Sequence, residues 1–449
     1  MTKSIYAGVH KPQASEAISL ADAAMLDKLQ RTAFNYFPSS TNTQNGLVAD
    51  RMRDGSPSSI AVVGLALSCY PVGVERGWID RDQAVQYALQ ALRFFWRSDQ
   101  TGSPEATGFR GFYFHFLDMQ TGARVWQCEL SIIDTAILIA GILSSAAYFT
   151  RTTPMETELR ELADTLYRRV DWRWAQADGS AVVHGWKPNH GFLSYGWEGY
   201  SEALVLYVLG LASPTYPLTR ESFLAWTMTY QWENLYGQDF LYAGPLFIHQ
   251  LSHAWIDFRG LKDSFMREKG CDYFENSRRA TLVQREYAMR NPLDFRGYGQ
   301  DCWGLSASNG PSIPPLLIAG RQQAFYGYAA RGAPYGPDDG TIAGSGALAS
   351  LVFAPDIVLP VVRALYARTT SEIGQMILAG GFNATADSSA SQDWISPGYF
   401  GIDQGLIVLA IENFRSGLLW ELSRKSPYFR SGLIHAGFKG GWLDERAAP

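Results

Sequence analysis

Three stretches of this chain have helical length and carry apolar side chains nearly all round: 130–149, 200–212 and 404–423. A helix without a polar face must be buried on both sides. Other stretches, such as 81–98 and 156–172, are amphipathic and keep a charged face for solvent. Inner and outer helices that alternate along a chain build two concentric layers, and about six such pairs are legible here. The expected fold is therefore all-α, an (α/α)6 toroid with long aromatic loops around one mouth. The helices are expected at 17–37, 58–70, 81–98, 130–149, 156–172, 200–212, 220–234, 246–266, 272–289, 343–353, 356–368 and 404–423. Asp80 caps the third, and Ser213-Pro214 ends the sixth. Alternating strands are scarce, so no sheet beyond short hairpins is expected.

No internal repeat and no Pro-, Gly- or Ser-rich linker divides the sequence, which reads as a single domain over 1–449. Long loops dense in Gly, Trp and Tyr cover 99–128, 174–199, 291–342 and 379–403. Loops of that length in a compact domain usually carry function. In a toroid they gather at one end of the inner ring.

Composition narrows the function. With 47% hydrophobic and 18% charged residues the chain can bury a large core. A net charge of −5 supplies no electrostatic footprint for nucleic acid or an anionic membrane. The aromatic share, 14%, serves either a big core or a site that stacks flat apolar faces, such as those of pyranose rings. Cys69, Cys128, Cys271 and Cys302 show neither C-x-x-C pairing nor metal spacing and read as free, buried thiols. Met1 to His10 lacks the apolar core of a secretion signal. The sequence thus reads as cytoplasmic as written, or periplasmic if a leader has been removed, with no membrane span.

The chemistry is sought in carboxylates beside apolar helices. Glu198 and Glu202, at i and i+4, are expected on one face at the mouth of the helix 200–212, with Trp197 and Tyr200 as aromatic walls. A buried carboxylate answers desolvation with a raised pKa. A neutral carboxylic acid among aromatic rings suits general-acid cleavage of a glycosidic bond. The competing reading of Glu202 is a structural ion pair. Asp134 is the only charge between Leu130 and Phe149. It is either bonded near a helix start or a pocket carboxylate, while Glu129 caps the helix or pairs with an arginine. Asp403, at the head of 404–423, is either an N-cap or a second working carboxylate. Glu412, Asn413 and Arg415 are expected to form a polar network inside the ring.

His249, His253 and Asp257 stand at i, i+4 and i+8. Two histidines at i, i+4 can share an ion, but Gln250 occupies the place of the zincin general base and no further ligand cluster is evident. Hydrogen bonding to substrate or within the core is preferred, and no metal or cofactor is expected. Arg296 to Pro311 and Gly336 to Ile342 are loops of small and polar residues. They contain Tyr298, Asp301, Trp303, Asn309 and Asp338, and each loop alone signals only turns.

Taken together, these segments resemble the bacterial glucoamylase-like domain family, which includes endo-β-1,2-glucanases, sophorose-releasing enzymes and the domain of cyclic β-1,2-glucan synthases. The matching motifs are Gly196-Trp-x-x-Tyr-x-Glu202-Ala, Ala212-Ser-Pro-Thr-x-Pro217, Gly244-Pro-Leu-Phe and Arg259-Gly-Leu-Lys-Asp263. They continue with Gly297-Tyr-Gly-x-x-Cys-Trp-Gly-Leu-x-Ala-Ser308, Asp338-x-Gly-Thr-Ile342, Ile402-Asp-Gln-Gly and Ile411-Glu-Asn-x-Arg-x-Gly-Leu-Leu-Trp420. The resemblance runs from about residue 28 to 436. It implies an (α/α)6 barrel and, for the endo-glucanases, metal-free inverting hydrolysis of β-1,2-glucan or its oligosaccharides. Glu202 and Asp403 match acidic positions of the family's pocket, with Asp134 a third carboxylate. Which of them is acid and which is base stays open. Trp197, Tyr200, Tyr298 and Trp303 are expected to stack sugar rings. Glu198, His253, Arg259, Asp301, Asn309, Asp338 and Gln404 are expected to bind substrate. Two departures bear on chain length and linkage. Gly380-Gly-Phe382-Asn383-Ala-Thr stands where relatives carry Gly-Phe-x-Asp-Ala-Phe-Asn, and Gln300-Asp301 replaces Glu-Asn. A retaining transglycosylase and a non-catalytic glucan-binding protein are the alternatives; a lyase acting on acidic sugars is disfavoured because a carboxylate-rich pocket repels its substrate.

Overall fold

The computed structural model describes residues 18–177, 179–318, 320–368, 374–386 and 393–445. Its first helices are α1 (Leu20–Ser40), α2 (Ile60–Glu75), α3 (Arg81–Arg97), α4 (Ile132–Tyr148) and α5 (Pro154–Arg169). Next come α6 (Leu204–Ala212), α7 (Arg220–Thr227), α8 (Leu246–Gln250), α9 (Ser264–Glu268) and α10 (Tyr273–Arg290). The last are α11 (Gly344–Ala349), α12 (Pro355–Ala367), α13 (Gln375–Leu378), α14 (Gly401–Arg415), α15 (Leu418–Lys425) and α16 (Pro427–His435). The protein is mostly helical.

The helices that are apolar all round are inside. α2 packs on α4, α4 on α6, α14 on α2 and α11 on α14. α8 meets α11, and Ser252, just past α8, accepts from Val205 N in α6 at 3.1 Å. Every residue of α6 is buried. The amphipathic helices lie outside this layer: α3 on α5, α1 against α14, α16 against α6 and α12 against α11. One continuous apolar core runs from Met25 to Trp442. Close approach is selected by glycine. A Cβ on Gly141 of α4 would lie 1.9 Å from the Gly64 carbonyl oxygen of α2, so the two helices touch backbone to backbone.

Several expected helices are shorter or divided. The stretch 200–212 starts helical structure only at Leu204, so Glu198 and Glu202 share no helical face. The stretch 404–423 begins at Gly401 and divides at Gly417, whose φ of 70° ends one helix before α15. The stretch 246–266 splits into α8, a 3-10 turn over Leu251–Ala254, and α9. The His249–His253–Asp257 row is dispersed with it. Strands are also more numerous than expected. The loops 99–128 and 174–199 contribute to a five-stranded antiparallel sheet of two- and three-residue strands, from Gly108–Phe109 to Gly191–Phe192. A three-stranded sheet joins Thr341–Ile342, Phe382–Asn383 and Trp394–Ile395. Such short pieces hold too few residues for a period of two to be seen in sequence. Among the described residues no helix is long and apolar enough to cross a membrane.

Candidate active site

Three carboxylates hang at the N-terminal ends of inner helices. Asp134 is in the first turn of α4, where Ser131 Oγ caps the helix by accepting from Asp134 N at 3.2 Å and donates to Asp134 Oδ2 at 2.5 Å. Asp403 is in the first turn of α14, and the N-cap is Phe400 rather than Asp403. Glu202 lies two residues before α6, where Ser252 Oγ donates to its carbonyl oxygen at 3.1 Å and fixes the entry to the helix. Helix N-termini carry positive partial charge, which suits acidic side chains.

All three line one cavity of about 490 Å³, walled also by His115, Glu129, His184, Lys187, Tyr195, Trp197, Asn309, Tyr328 and Ser345. Each of the four long loops contributes to it. The volume is that of a small-molecule site. Burial raises Glu202 to about 7, and the charge on Asp134 adds to the rise. Burial likewise raises Asp403 to about 7, against a hydrogen bond that Ser345 Oγ donates to Oδ1 at 2.9 Å. Two carboxyls that keep protons near neutrality in one cleft are suited to acid–base work.

The walls are aromatic and polar. Trp197 stacks on His184, ring centroids 3.9 Å apart, and burial keeps that imidazole neutral. The Trp197 indole nitrogen has no partner among the described residues. Tyr328 is carried beside a short antiparallel strand pair of Ala307–Ser308 with Ala329–Ala330. That pair is pinned by the fully buried Arg331, which donates to both oxygens of Asp339 at 2.7 Å and to the Ser308 carbonyl at 2.7 Å.

Five expected site residues meet in this cavity: Glu202, Asp403, Asp134, Trp197 and Asn309. The structure takes the others elsewhere. Glu198 is exposed outside the lining. Tyr200 is buried against Tyr273, Tyr230 and His249. His253 is in the core beside Ser277 Oγ at 3.2 Å. Arg259 clamps Asp257 with two bonds of 2.8 Å and lies over Trp420. Tyr298 donates to Asp338 at 2.7 Å, so those two satisfy each other with Tyr287. Asp301 is exposed, Trp303 is core, and Gln404 donates to the Leu378 carbonyl at 2.7 Å. Glu129 pairs with His115 and not with an arginine. Glu412 and Arg415 join one network with Arg76, Gln30 and Asp27, but it lies between α14 and the outer α1 rather than inside the ring, and Asn413 bonds the Ala254 carbonyl and Leu419 N instead.

Sequence reasoning missed His115, His184, Lys187, Tyr195, Tyr328 and Ser345. All but Ser345 lie in loops already flagged as functional, and that was the signal available. Among the described residues His115, Glu129 and Asp134 have the spacing of a metal cluster. Both ring nitrogens of His115 face carboxylates, and these acids, against the opposing cost of burial, raise the ring to about 9. Nδ1 of His115 is 2.9 Å from Glu129 Oε1, and Nε2 is 3.6 Å from Asp134 Oδ2.

A helical wall, two carboxyls with raised proton affinity and aromatic faces meet in this one cavity. The chain belongs to the glycoamylase family, described as "putative glucoamylase", whose model matches residues 194–427. It is 26% identical over 450 residues to an exo β-1,2-glucooligosaccharide sophorohydrolase (non-reducing end) of Parabacteroides distasonis, covering 92% of this chain and 58% of that protein. It thus spans well under two thirds of that relative. An endo-β-1,2-glucanase structure from Chitinophaga pinensis, with sophorotriose and glucose, is 27% identical with TM-score 0.81, covering 94% of this chain and 99% of that one. A structure from Bacteroides uniformis bearing the family's own description is 28% identical with TM-score 0.83, covering 95% and 100%.

Proposed function

We propose that this protein hydrolyses β-1,2-linked glucan or its oligosaccharides. The observation that carries the reading is one cavity lined by Glu202, Asp403 and Asp134, where burial raises the first two to about 7. In this reading the layered helices are an (α/α)6 toroid and the chain is a single domain. Its ring runs α2, α4, α6, the α8 segment, α11 and α14, in support of which each member contacts the next.

Glu202 is the general acid. No side chain among the described residues bonds its carboxyl, which leaves the proton free for the glycosidic oxygen. Asp403 serves the base side, because the Ser345 hydroxyl bonded to it favours its charged form. It draws a proton from the attacking water, and Asp134 is the third carboxylate of the pocket. Trp197, with His184 beneath it, is the stacking face, and Asn309 bonds hydroxyls. Inversion is expected, with the working carboxyls ~6.5–9.5 Å apart to admit water. Endo action is favoured by the nearly complete coverage of the C. pinensis endo-glucanase.

The test is to incubate the protein with linear and cyclic β-1,2-glucans, size the products, and follow the newly formed anomer by NMR. A spread of oligosaccharide sizes with inverted anomer is expected. Disaccharide release from one end shows exo action, retained anomer shows transglycosylase-type chemistry, and no turnover on any β-glucan refutes the reading.

A further inference from the structure

Tyr328 lines the cavity with 64% of its surface exposed, yet the backbone on both sides of it is clamped. On one side the fully buried Arg331 donates to the carbonyls of Tyr326 at 3.2 Å and Gly327 at 3.1 Å. Asp339, the partner of Arg331, accepts from Tyr326 N at 2.9 Å. On the other side Ala329 is paired with Ser308. That register, carried one step on, sets Tyr328 opposite Asn309, and residues opposite one another in an antiparallel pair share a face. Both line the cavity. Among the described residues nothing accepts a hydrogen bond from the Tyr328 hydroxyl.

We propose that Tyr328 is a substrate-binding residue of this cleft: its hydroxyl donates to a hydroxyl of the glucose unit seated among Glu202, Asp134 and Asp403, and its ring lies against that unit. This rests on the reading of the cavity as a β-1,2-glucan site.

A lone exposed tyrosine is ordinary and needs no support. This one is held by a buried ion pair, whose desolvation is costly. A side chain placed in advance spares a ligand part of the ordering cost of binding. The open surface of Tyr328 faces a cleft with protein around it. Desolvation there, and then the charges on Asp403, Asp50, Asp134 and Glu202, push the phenol well above its ordinary value. It therefore keeps its proton at every working pH and stays a donor, whereas an ionised carboxylate only accepts. A sugar hydroxyl does both, so one set between Tyr328 and a carboxylate of the cleft satisfies each. The same acids repel a carboxylate or phosphate ligand, which leaves a neutral polyhydroxyl one.

The test is calorimetric titration of the β-1,2-linked glucose trimer into Glu202→Gln, alone and combined with a change at Tyr328, so that the sugar is not cleaved during the measurement. Tyr328→Phe removes only the hydroxyl and should weaken binding about 2- to 10-fold, the range of one net hydrogen bond. Tyr328→Ala removes the ring as well and should weaken binding further. The side chain is exposed, so urea midpoints of both variants should stay at the parent's value. A residue that merely supports its loop would lower the midpoint and leave affinity as it was, and that result overturns the proposal. If the parent binds the trimer and the Phe variant binds it equally well, the role of Tyr328 falls and the reading of the cavity stands. If the wild type cleaves no β-1,2-glucan and the parent binds no trimer, both fall together.

Discussion

Replacing Glu202 by glutamine separates catalysis from folding. Its carboxyl rises from 4.5 to about 7 on folding, chiefly through burial. A tenfold change in proton affinity is worth about 1.4 kcal/mol, so this rise corresponds to at most about 3 kcal/mol. The sign follows from proton binding. Below pH 4.5 both folded and unfolded chains hold the proton and nothing is lost. As pH rises, the unfolded chain ionises first and unfolding gains, until the full cost is reached above about 7. Glu202→Gln is free of this titration. Its stability relative to wild type, from urea midpoints at pH 4.5, 6, 7 and 8, should climb with pH by up to about 3 kcal/mol. Over the same series kcat should fall ~10²–10⁴-fold, with KM little changed, because a transition-state proton is lost rather than ground-state binding. A stability difference that does not vary with pH would refute a carboxyl whose proton affinity is raised by folding. Near-normal kcat in the folded variant would move the acid elsewhere, with Asp134 next.

Asp403→Asn should lower kcat ~10²–10⁴-fold, and the double variant with Glu202→Gln should lose less than the two single losses combined, as measured by steady-state turnover. Exhaustive chelation should leave activity intact, and loss restored by added zinc or calcium would remove the carboxylate-only mechanism. Glu198→Gln and Arg259→Lys should leave kcat and KM within about twofold, since neither side chain reaches the cavity; surface changes usually act within ~0.5 kcal/mol. Arg331→Met strands the fully buried Asp339 and should cost about 3–5 kcal/mol by urea denaturation. Gly141→Ala, with its Cβ driven onto the Gly64 carbonyl, should cost about 1–3 kcal/mol in the same assay.

The amino-acid sequence by itself determined the helical layering and the three carboxylates. Both are local: an acid at the entry to an all-apolar helix is visible within a dozen residues, as at Asp134, Glu202 and Asp403. It also marked the four loops that wall the cavity. The local rule went too far at Glu198, because a helix expected from residue 200 starts at Leu204. It could not tell that Asp338 is satisfied by two tyrosines, that Arg259 is spent on Asp257 at the surface, or that His253 lies in the core. Only the tertiary structure decided that the cleft also takes His115, His184, Tyr328 and Ser345, from four segments distant in the chain. The physical reason is that pocket membership depends on where long loops come to rest. Here that position is set by links between distant segments such as Arg331 to Ser308 and Ser252 to Glu202, which no periodicity encodes.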